Sequence, residues 1–134
     1  MGRTESDEAR MRSLALGLSA TRVAVGAMAI LTPRAAVTIM GFPAAQDSAT
    51  ARLVGRLFGT REIALGAYTA ALVRRSVDQP DAYALNAAVD SADFAVCTAT
   101  LLGHRGVGRA AFGSALLAAP FAATWLWLRG SCQG

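Results

Sequence analysis

The run YALNAAVDSADFAVCTATLLG, residues 83–103, is apolar enough to cross a lipid bilayer, yet it carries Asp90 and Asp93 near its middle. A helix of about 20 apolar residues spans the roughly 30 Å of hydrocarbon in a bilayer. A charge at that depth costs about 2.5–3.5 kcal/mol on insertion scales. A spanning helix with two carboxylates therefore needs a polar interior to receive them. The run predicts a membrane helix that contributes acidic groups to a buried site.

Three more apolar runs lie at residues 14–31, 53–73 and 107–128. Because backbone groups in lipid must be hydrogen-bonded internally, runs rich in Ala and Leu are predicted to be helices. We therefore expect an all-α fold, a four-transmembrane-helix bundle over residues 13–130, with polar tails at residues 1–12 and 131–134. Residues 35–40 are expected to form a short helix in the membrane interface. The short connection at residues 104–106 predicts a tight antiparallel hairpin.

Composition agrees with a membrane protein of one domain. The chain has 134 residues, of which 54% are hydrophobic and only 16% charged, where soluble domains have about 25% charged residues. All basic residues are arginines, and their even spread gives no basic face for nucleic acid. The two cysteines, Cys97 and Cys132, do not form a disulfide framework. No zinc, haem, flavin or nucleotide motif is present, so we expect no cofactor and no metal.

The arginines near the ends of the runs predict an orientation. More of them lie on the side of the two termini, so both termini are expected in the cytoplasm of a multi-pass protein of the inner membrane. Trp125 and Trp127, near the end of the last run, are expected in an aromatic belt at the same surface. His104 is expected at the interface, Cys97 as a packing residue, and Pro120 as a kink in the last helix.

Helical periodicity places small and polar residues on one face of each run. Small residues at this spacing allow helices to approach closely, so we expect these faces in the interior of the bundle. In chain order the predicted interior faces are Ala15, Ser19, Arg22, Gly26 and Ala29; Gly55, Gly59, Glu62 and Gly66; Asn86, Asp90, Asp93, Cys97 and Thr100; and Arg109, Gly113, Pro120 and Thr124.

The charged residues fall at a similar depth and predict the site. Three arginines are expected to face three carboxylates, which would make the interior neutral overall. Asp90, Asp93 and Glu62 are the candidate catalytic groups, because carboxylates that share a face are where general acids arise. The candidate binding residues are Arg22, Arg56, Arg61 and Asn86. The same charges would also serve as ion pairs that only fix which helices meet.

The segments Arg56-Leu57-Phe58-Gly59-Thr60-Arg61-Glu62 and Asp90-Ser91-Ala92-Asp93 resemble a known group. They are similar to small four-helix integral membrane proteins, common in actinobacteria, that form a family of unknown function. Members show an R-x-F-G-x-R-[DE] pattern in one helix and D-x-x-D in the next. The resemblance covers most of the chain beyond the N-terminal tail and implies the fold and a shared intramembrane site. A more distant similarity to DoxX-like membrane proteins implies architecture only.

Three functions fit the sequence. The first is an enzyme that acts within the bilayer on a lipophilic small molecule by acid–base chemistry, as an isomerase, a cyclase or an epoxide-opening hydrolase. The second is a proton-coupled exporter of small molecules, for which a homodimer is a compatible assembly. The third is an accessory membrane subunit without catalysis. The expected partners are membrane lipid and a lipophilic small molecule, and not nucleic acid.

Overall fold

The computed structural model describes residues 4–103 and 108–133. Every element in these ranges is helical, which confirms the all-α class. The elements are α1 (Glu5–Leu31), α2 (Pro33–Ile39), a 3₁₀ helix (Ala44–Gln46), α3 (Ala49–Arg75), α4 (Pro80–Leu102) and α5 (Gly108–Ser131). The predicted hairpin connection at residues 104–106, including His104, lies outside the described residues.

Two of the described helices, α1 and α5, are long and apolar enough to cross a membrane. The helices α3 and α4 do not meet the same standard of hydropathy and charge within the described ranges. The difference follows from the charged residues that the sequence places in their middles. Apolar character alone therefore supports two spans.

The first helix begins nine residues earlier than its apolar run, so most of the predicted polar tail at residues 1–12 is helical. Thr4 caps the helix: its hydroxyl accepts a hydrogen bond from the backbone N–H of Asp7, and the Asp7 carboxylate accepts one from the backbone N–H of Thr4. Glu5, Asp7 and Glu8 lie in the first turn, where negative charge favours the helix dipole. Capping therefore extends the helix beyond its apolar part.

The helices α1 and α3 pack closely along a contact that we call the glycine seam, formed by Gly26, Gly59 and Gly66. A Cβ atom on Gly59 would lie 2.6 Å from the carbonyl oxygen of Gly26, and one on Gly66 would lie 2.6 Å from that of Ser19. Real Cβ contacts are longer than this, so the two backbones touch directly. The predicted interior faces of these helices are correct here, except that Gly55 has no atom within 4 Å of the place of a Cβ.

The helices α4 and α5 form the second closely packed pair. The buried face of α5 is not the predicted one: Arg109 and Pro120 are exposed, and Gly113 and Thr124 are only partly buried. The reason is that α5 is apolar on nearly every side, so its orientation is set by its partners and not by polarity. Its buried residues are Ala110, Ala111, Ala115, Ala122, Trp125 and Leu128.

All four long helices meet in an apolar core at the end of the molecule that holds both termini. Tyr83 and Trp125 stack at its centre, with ring centroids 5.8 Å apart, and both are fully buried. The Tyr83 hydroxyl donates a hydrogen bond of 2.6 Å to the carbonyl of Val77. Trp125 is thus a core residue and not part of an interfacial belt, which corrects the prediction. The remaining members are Met11, Ala15, Val73, Val77, Ala87 and Leu128.

The opposite end of the molecule is open between α3 and α4. In α3 no residue before Gly59 is buried, and in α4 no residue after Asp90 is buried. On the other side, Gly41 approaches the backbone of α5, since a Cβ on it would lie 3.7 Å from the Ala110 nitrogen. Gly41 has φ +78°, a conformation that suits glycine. Beyond the level of Asp90, α3 and α4 therefore bury no residue of the described chain, and we call this region the open end.

Candidate functional site

Arg22 links three helices at the level where the open end begins. Its guanidinium donates to Glu62 Oε2 on α3 at 2.5 Å and to Asp90 Oδ1 on α4 at 2.6 Å. The three side chains are only 3%, 7% and 8% exposed. Charges buried this completely are held only when they are paired and hydrogen-bonded. Arg22 is therefore the central cation of the site.

Arg61 extends the site toward the opening between α3 and α4. Its guanidinium donates to both oxygens of Asp93, at 2.7 Å and 3.2 Å, and to Glu62 Oε1 at 3.0 Å. The ring of Phe58 lies under the guanidinium, 5.0 Å from the Arg61 carbon to the ring centroid. Arg61 and Asp93 are 39% and 35% exposed. This pair is therefore the accessible edge of the site.

The five residues form one continuous series of ion pairs, which we call the charge chain: Asp90, Arg22, Glu62, Arg61 and Asp93. Glu62 stands at its centre, because one of its oxygens contacts each arginine. Three carboxylates match two guanidinium groups, so the charge chain has a formal charge of −1 when all its members are ionised. The expected one-for-one match of arginines and carboxylates is not found.

The missing third arginine is Arg56, which the sequence placed with the other two. The structure puts Arg56 at the open end, where it lines a separate pocket with Arg34 and Arg52. No carboxylate of the described chain lies within 4.0 Å of it. Arg56 and Glu62 are six residues apart, which places their side chains about 120° apart around α3 and about 9 Å apart along it. Helix geometry therefore separates Arg56 from the charge chain.

The glycine seam and the charge chain depend on each other. Arg22 lies between Ser19 and Gly26 on the face of α1 that packs against α3. A Cβ on Gly66 would lie 3.1 Å from the Cβ of Arg22, so the base of the arginine side chain rests on this glycine. The guanidinium extends from this contact to Glu62 on α3 and Asp90 on α4. The seam thereby fixes the base of the side chain, and the two carboxylates hold its charged end.

Four buried polar atoms have no hydrogen-bond partner in the described part of the chain: Arg22 Nε, Asp90 Oδ2, Asn86 Oδ1 and Trp125 Nε1. An unpaired buried polar atom costs about 1–3 kcal/mol, so native proteins rarely leave several of them together. Two are acceptors one turn apart on α4, and one donor belongs to the arginine that holds Asp90. The set suits a bound group that both donates and accepts hydrogen bonds.

Asn86 is held so that its oxygen remains available. Its amide nitrogen donates to Thr69 Oγ1 and to the Ala82 carbonyl, both at 2.8 Å. Thr69 was not among the predicted site residues, although it continues the face of Gly59, Glu62 and Gly66 by one more turn. The helical spacing places Thr69 on this face. The residue type did not mark it as a site residue, because threonine is common in helices of this kind.

The other residues that the sequence singled out do not belong to the charge chain. Cys97 and Cys132 are both partly buried and form no disulfide with each other. Thr100 donates to the Val96 carbonyl of its own helix, as hydroxyl groups on apolar helices often do. Within residues 4–103 and 108–133, no three His, Cys, Asp or Glu side chains are placed to hold a metal ion. In the described structure, the charge chain is thus the largest group of ionisable side chains in contact with one another.

The fold and the site together define a class of protein: α-helical, with an apolar exterior and an internal chain of arginine and carboxylate side chains. The chain belongs to the family described as "Domain of unknown function (DUF4267)", whose model matches residues 19–129. The matched range contains the glycine seam and every member of the charge chain. No curated protein and no solved structure matches the chain.

Proposed function

We propose that this protein is a small integral membrane protein of four spanning helices that binds a lipophilic small molecule at the charge chain and acts on it by acid–base catalysis. The spans would be α1, α3, α4 and α5, with both termini in the cytoplasm. The reaction classes that suit the site are isomerisation, cyclisation and epoxide opening. Each needs a proton donor and a proton acceptor placed together.

The distribution of apolar and charged groups supports insertion into a membrane. Large apolar side chains are exposed on every long helix, while Arg22, Glu62 and Asp90 of the charge chain are buried. A soluble protein rarely exposes so much contiguous apolar surface, and lipid would cover it. Examples more than half exposed are Leu53, Val54 and Leu57 on α3, Val96 and Leu102 on α4, and Phe112, Leu116 and Leu117 on α5.

The observation that carries the proposed chemistry is the state of Asp90. One of its oxygens is held by Arg22 at 2.6 Å, while the other has no partner in the described chain. Glu62 contacts an arginine with each of its oxygens, and Asp93 contacts Arg61 with both of its own. Asp90 therefore has a free position at which to give or take a proton.

The other members of the charge chain have distinct roles in this proposal. Because carboxylates outnumber guanidinium groups by one, a single proton makes the charge chain neutral, and Asp90 is the member best placed to carry it. Glu62 is its partner through Arg22, which contacts both. Arg61 would stabilise negative charge that develops on the ligand near the accessible edge. Asn86 would orient the ligand through its free oxygen.

A lipophilic ligand would enter at the open end. The splayed halves of α3 and α4 carry exposed apolar side chains such as Leu57 and Phe94, and the half-exposed Arg61–Asp93 pair lies at the base of the gap. A ligand with an apolar body and a polar end would lie between the helices with its polar end on the charge chain. The direction of entry is thus from lipid and not from water.

The decisive experiment compares organic extracts of the detergent-purified protein with those of two single variants. Asp90→Asn keeps the size of the side chain and removes its capacity to exchange a proton. Asp81→Asn, an exposed aspartate in the first turn of the same helix, is the matched control. Mass spectrometry should find a discrete lipophilic compound with wild type and with Asp81→Asn. In Asp90→Asn we expect the compound to be lost or replaced by an unconverted precursor.

The same measurement has an outcome that contradicts the proposal. If all three proteins yield only bulk phospholipid, no ligand site exists at Asp90. The charge chain would then serve as structural ion pairs, as in an accessory subunit. Loss of a partner complex on deletion of the protein, with unchanged small-molecule chemistry, would support that role.

A second function, proton-coupled export, is favoured by the unmatched carboxylate. Such transporters exchange a proton on a membrane carboxylate for a cationic substrate, and here one carboxylate exceeds the guanidinium groups. A homodimer would be the compatible assembly. Substrate-driven proton movement in proteoliposomes, lost in Asp90→Asn and retained in Asp81→Asn, would support export over catalysis.

We also propose that the pattern R-x-F-G-x-R-[DE] is a signature of this site in actinobacterial relatives, and that the more distant likeness to DoxX-like membrane proteins extends to architecture only. Each position after the first has a contact that supports this. Phe58 lies under Arg61, Gly59 belongs to the glycine seam, and Arg61 and Glu62 are members of the charge chain.

A further inference from the structure

A pocket at the open end, separate from the charge chain, is formed where α1 ends, α2 begins and α3 starts. Its volume is about 380 Å³. Leu31, Pro33 and Ala35 supply apolar wall, and Arg34, Arg52 and Arg56 supply the charged groups. The pocket is thus part apolar and part cationic.

The cationic groups of this pocket are only partly compensated. The carboxylate that neighbours them is Asp47, which accepts from Arg52 Nε at 2.7 Å and from Arg52 Nη2 at 3.1 Å. Arg34 Nε lies 4.0 Å from the same carboxylate. No carboxylate in the described residues lies within 4.0 Å of Arg56. Three guanidinium groups against one carboxylate leave a local charge of +2.

The backbone adds to this positive potential. Arg52 and Arg56 are one turn apart on the first two turns of α3, and the first turn of α3 has no acidic residue. A helix N-terminus carries partial positive charge that favours anions and opposes nearby cations. The arrangement therefore concentrates positive charge that an anion would relieve.

The surroundings identify the kind of anion. Leu31, Leu53 and Leu57 are 77%, 58% and 63% exposed beside the pocket. A free phosphate ion would leave this apolar surface uncovered, whereas the acyl chains of a phospholipid would cover it. Basic pockets between helices on the cytoplasmic side of membranes bind anionic lipid headgroups, and the same charge-assisted hydrogen bonds between guanidinium and phosphate can form in either leaflet.

We propose that Arg34, Arg52 and Arg56 form a binding site for the phosphate of an anionic phospholipid whose acyl chains lie along the exposed leucines of α3. This site is separate from the proposed acid–base function and rests only on insertion of the chain into a membrane. Arg34 and Arg56 are the main contacts, because Arg52 is held by Asp47. The lipid lies in the leaflet opposite the two termini.

The test measures lipid binding to the full chain in mild detergent by native mass spectrometry. The probes are phosphatidylglycerol, which is anionic, phosphatidylcholine, which is zwitterionic, and inorganic phosphate. Wild type should bind phosphatidylglycerol more tightly than phosphatidylcholine, and inorganic phosphate at equal concentration should not displace it. The double variant Arg34→Gln/Arg56→Gln should bind phosphatidylglycerol about 30-fold more weakly, from the usual contribution of two arginines near a membrane surface.

The matched control is Arg74→Gln/Arg75→Gln, which removes two exposed arginines at the other end of α3 and should leave the lipid preference unchanged. Asp90→Asn should also leave it unchanged, which separates this site from the charge chain. Equal binding of both lipids by wild type overturns the proposal without any variant. So does a full phosphatidylglycerol preference in Arg34→Gln/Arg56→Gln, or displacement of the lipid by inorganic phosphate alone.

Discussion

Helix α1 makes two contacts of opposite kinds along a single face. Toward α3 it forms the glycine seam, where the backbones touch and no side chain fits between them. Toward α4 it sends the long side chain of Arg22, which crosses the gap to Asp90. The first contact fixes a distance between backbones, and the second holds two helices together at a distance that a guanidinium can bridge.

The difference shows how one small chain combines rigidity with space for a ligand. Close packing through glycine leaves no volume and gains dispersion contacts along the whole seam. Ion pairs between separated helices leave polar atoms that packing does not satisfy, and these are the atoms found unpaired at Arg22 and Asp90. The site arises on the side of α1 where the helices are not in direct contact.

The largest expected effect on stability comes from replacing Arg22, which is at the centre of the charged contact between α1 and α4. Arg22→Met leaves Asp90 without any cation and Glu62 with only Arg61. Removing one partner of a buried pair typically costs about 3–5 kcal/mol. We expect a loss of that size in the free energy of unfolding, measured by titration of mixed micelles with SDS.

The double variant Arg22→Met/Asp90→Leu is the control for this change. It removes the charge that Arg22→Met leaves unpaired, so it should be less destabilised than the single variant, although it has one more substitution. If the two were destabilised equally, an unpaired Asp90 would cost the fold nothing, and the loss in Arg22→Met would not come from the charge left behind.

A smaller effect is expected from widening the glycine seam. Gly66→Ala places a methyl group 2.6 Å from the Ser19 carbonyl and against the base of Arg22, so α1 and α3 must move apart. Overpacking of this kind costs about 1–3 kcal/mol. Gly55→Ala, in the same helix but with open space around it, should instead be neutral or stabilise the helix by up to about 1 kcal/mol. Similar unfolding energies for the two variants would contradict a close backbone contact at Gly66.

The smallest effect is expected outside both contacts, at the partly exposed pair of Asp47 and Arg52. The Arg52 guanidinium donates to both oxygens of Asp47 and holds the pKa of that carboxyl below its usual range. The unfolded-state pKa of an aspartate is about 3.9. The pair therefore stabilises the folded chain fully above that pH and loses its effect as the pH falls through the folded-state pKa.

This sign gives a simple measurement. Asp47→Asn should lower the unfolding temperature slightly at pH 6, and the difference from wild type should shrink as the pH falls through the lowered folded-state pKa of Asp47. Asp81→Asn, which removes an exposed aspartate from the start of α4, serves as the control. A difference that grows as the pH falls would mean that the pair does not stabilise the fold.

Much of the fold was predictable because its signals are local. Apolar runs gave the long helices, and the spacing of Ser19, Arg22 and Gly26 gave the buried face of α1 correctly. The early start of α1 was also readable, since Thr4 and Asp7 have the spacing of a capping box. The buried face of α5 was not, because a helix that is apolar on all sides has no periodicity to interpret.

The sequence predicted most of the residues that form the site, but not how they are arranged in space. The sequence indicated that Arg22, Arg61 and the three carboxylates belong together, and the structure brings them into one series. It did not indicate that Arg56 lies elsewhere, because depth along a helix does not fix the direction of a side chain around it. The stacking of Trp125 on Tyr83 depends on how two helices are rotated, which no single segment encodes.

The order of residues in the charge chain also has a consequence for biosynthesis. Arg22, Arg61 and Glu62 lie in α1 and α3, whereas Asp90 and Asp93 both belong to α4. A nascent chain that ends before α4 thus holds two internal cations and one anion, a surplus of positive charge. When α4 arrives, the surplus becomes negative. The helix α4 therefore reverses the sign of the net charge in the interior. The interior reaches its final net charge only after α4 has been synthesised as far as Asp93.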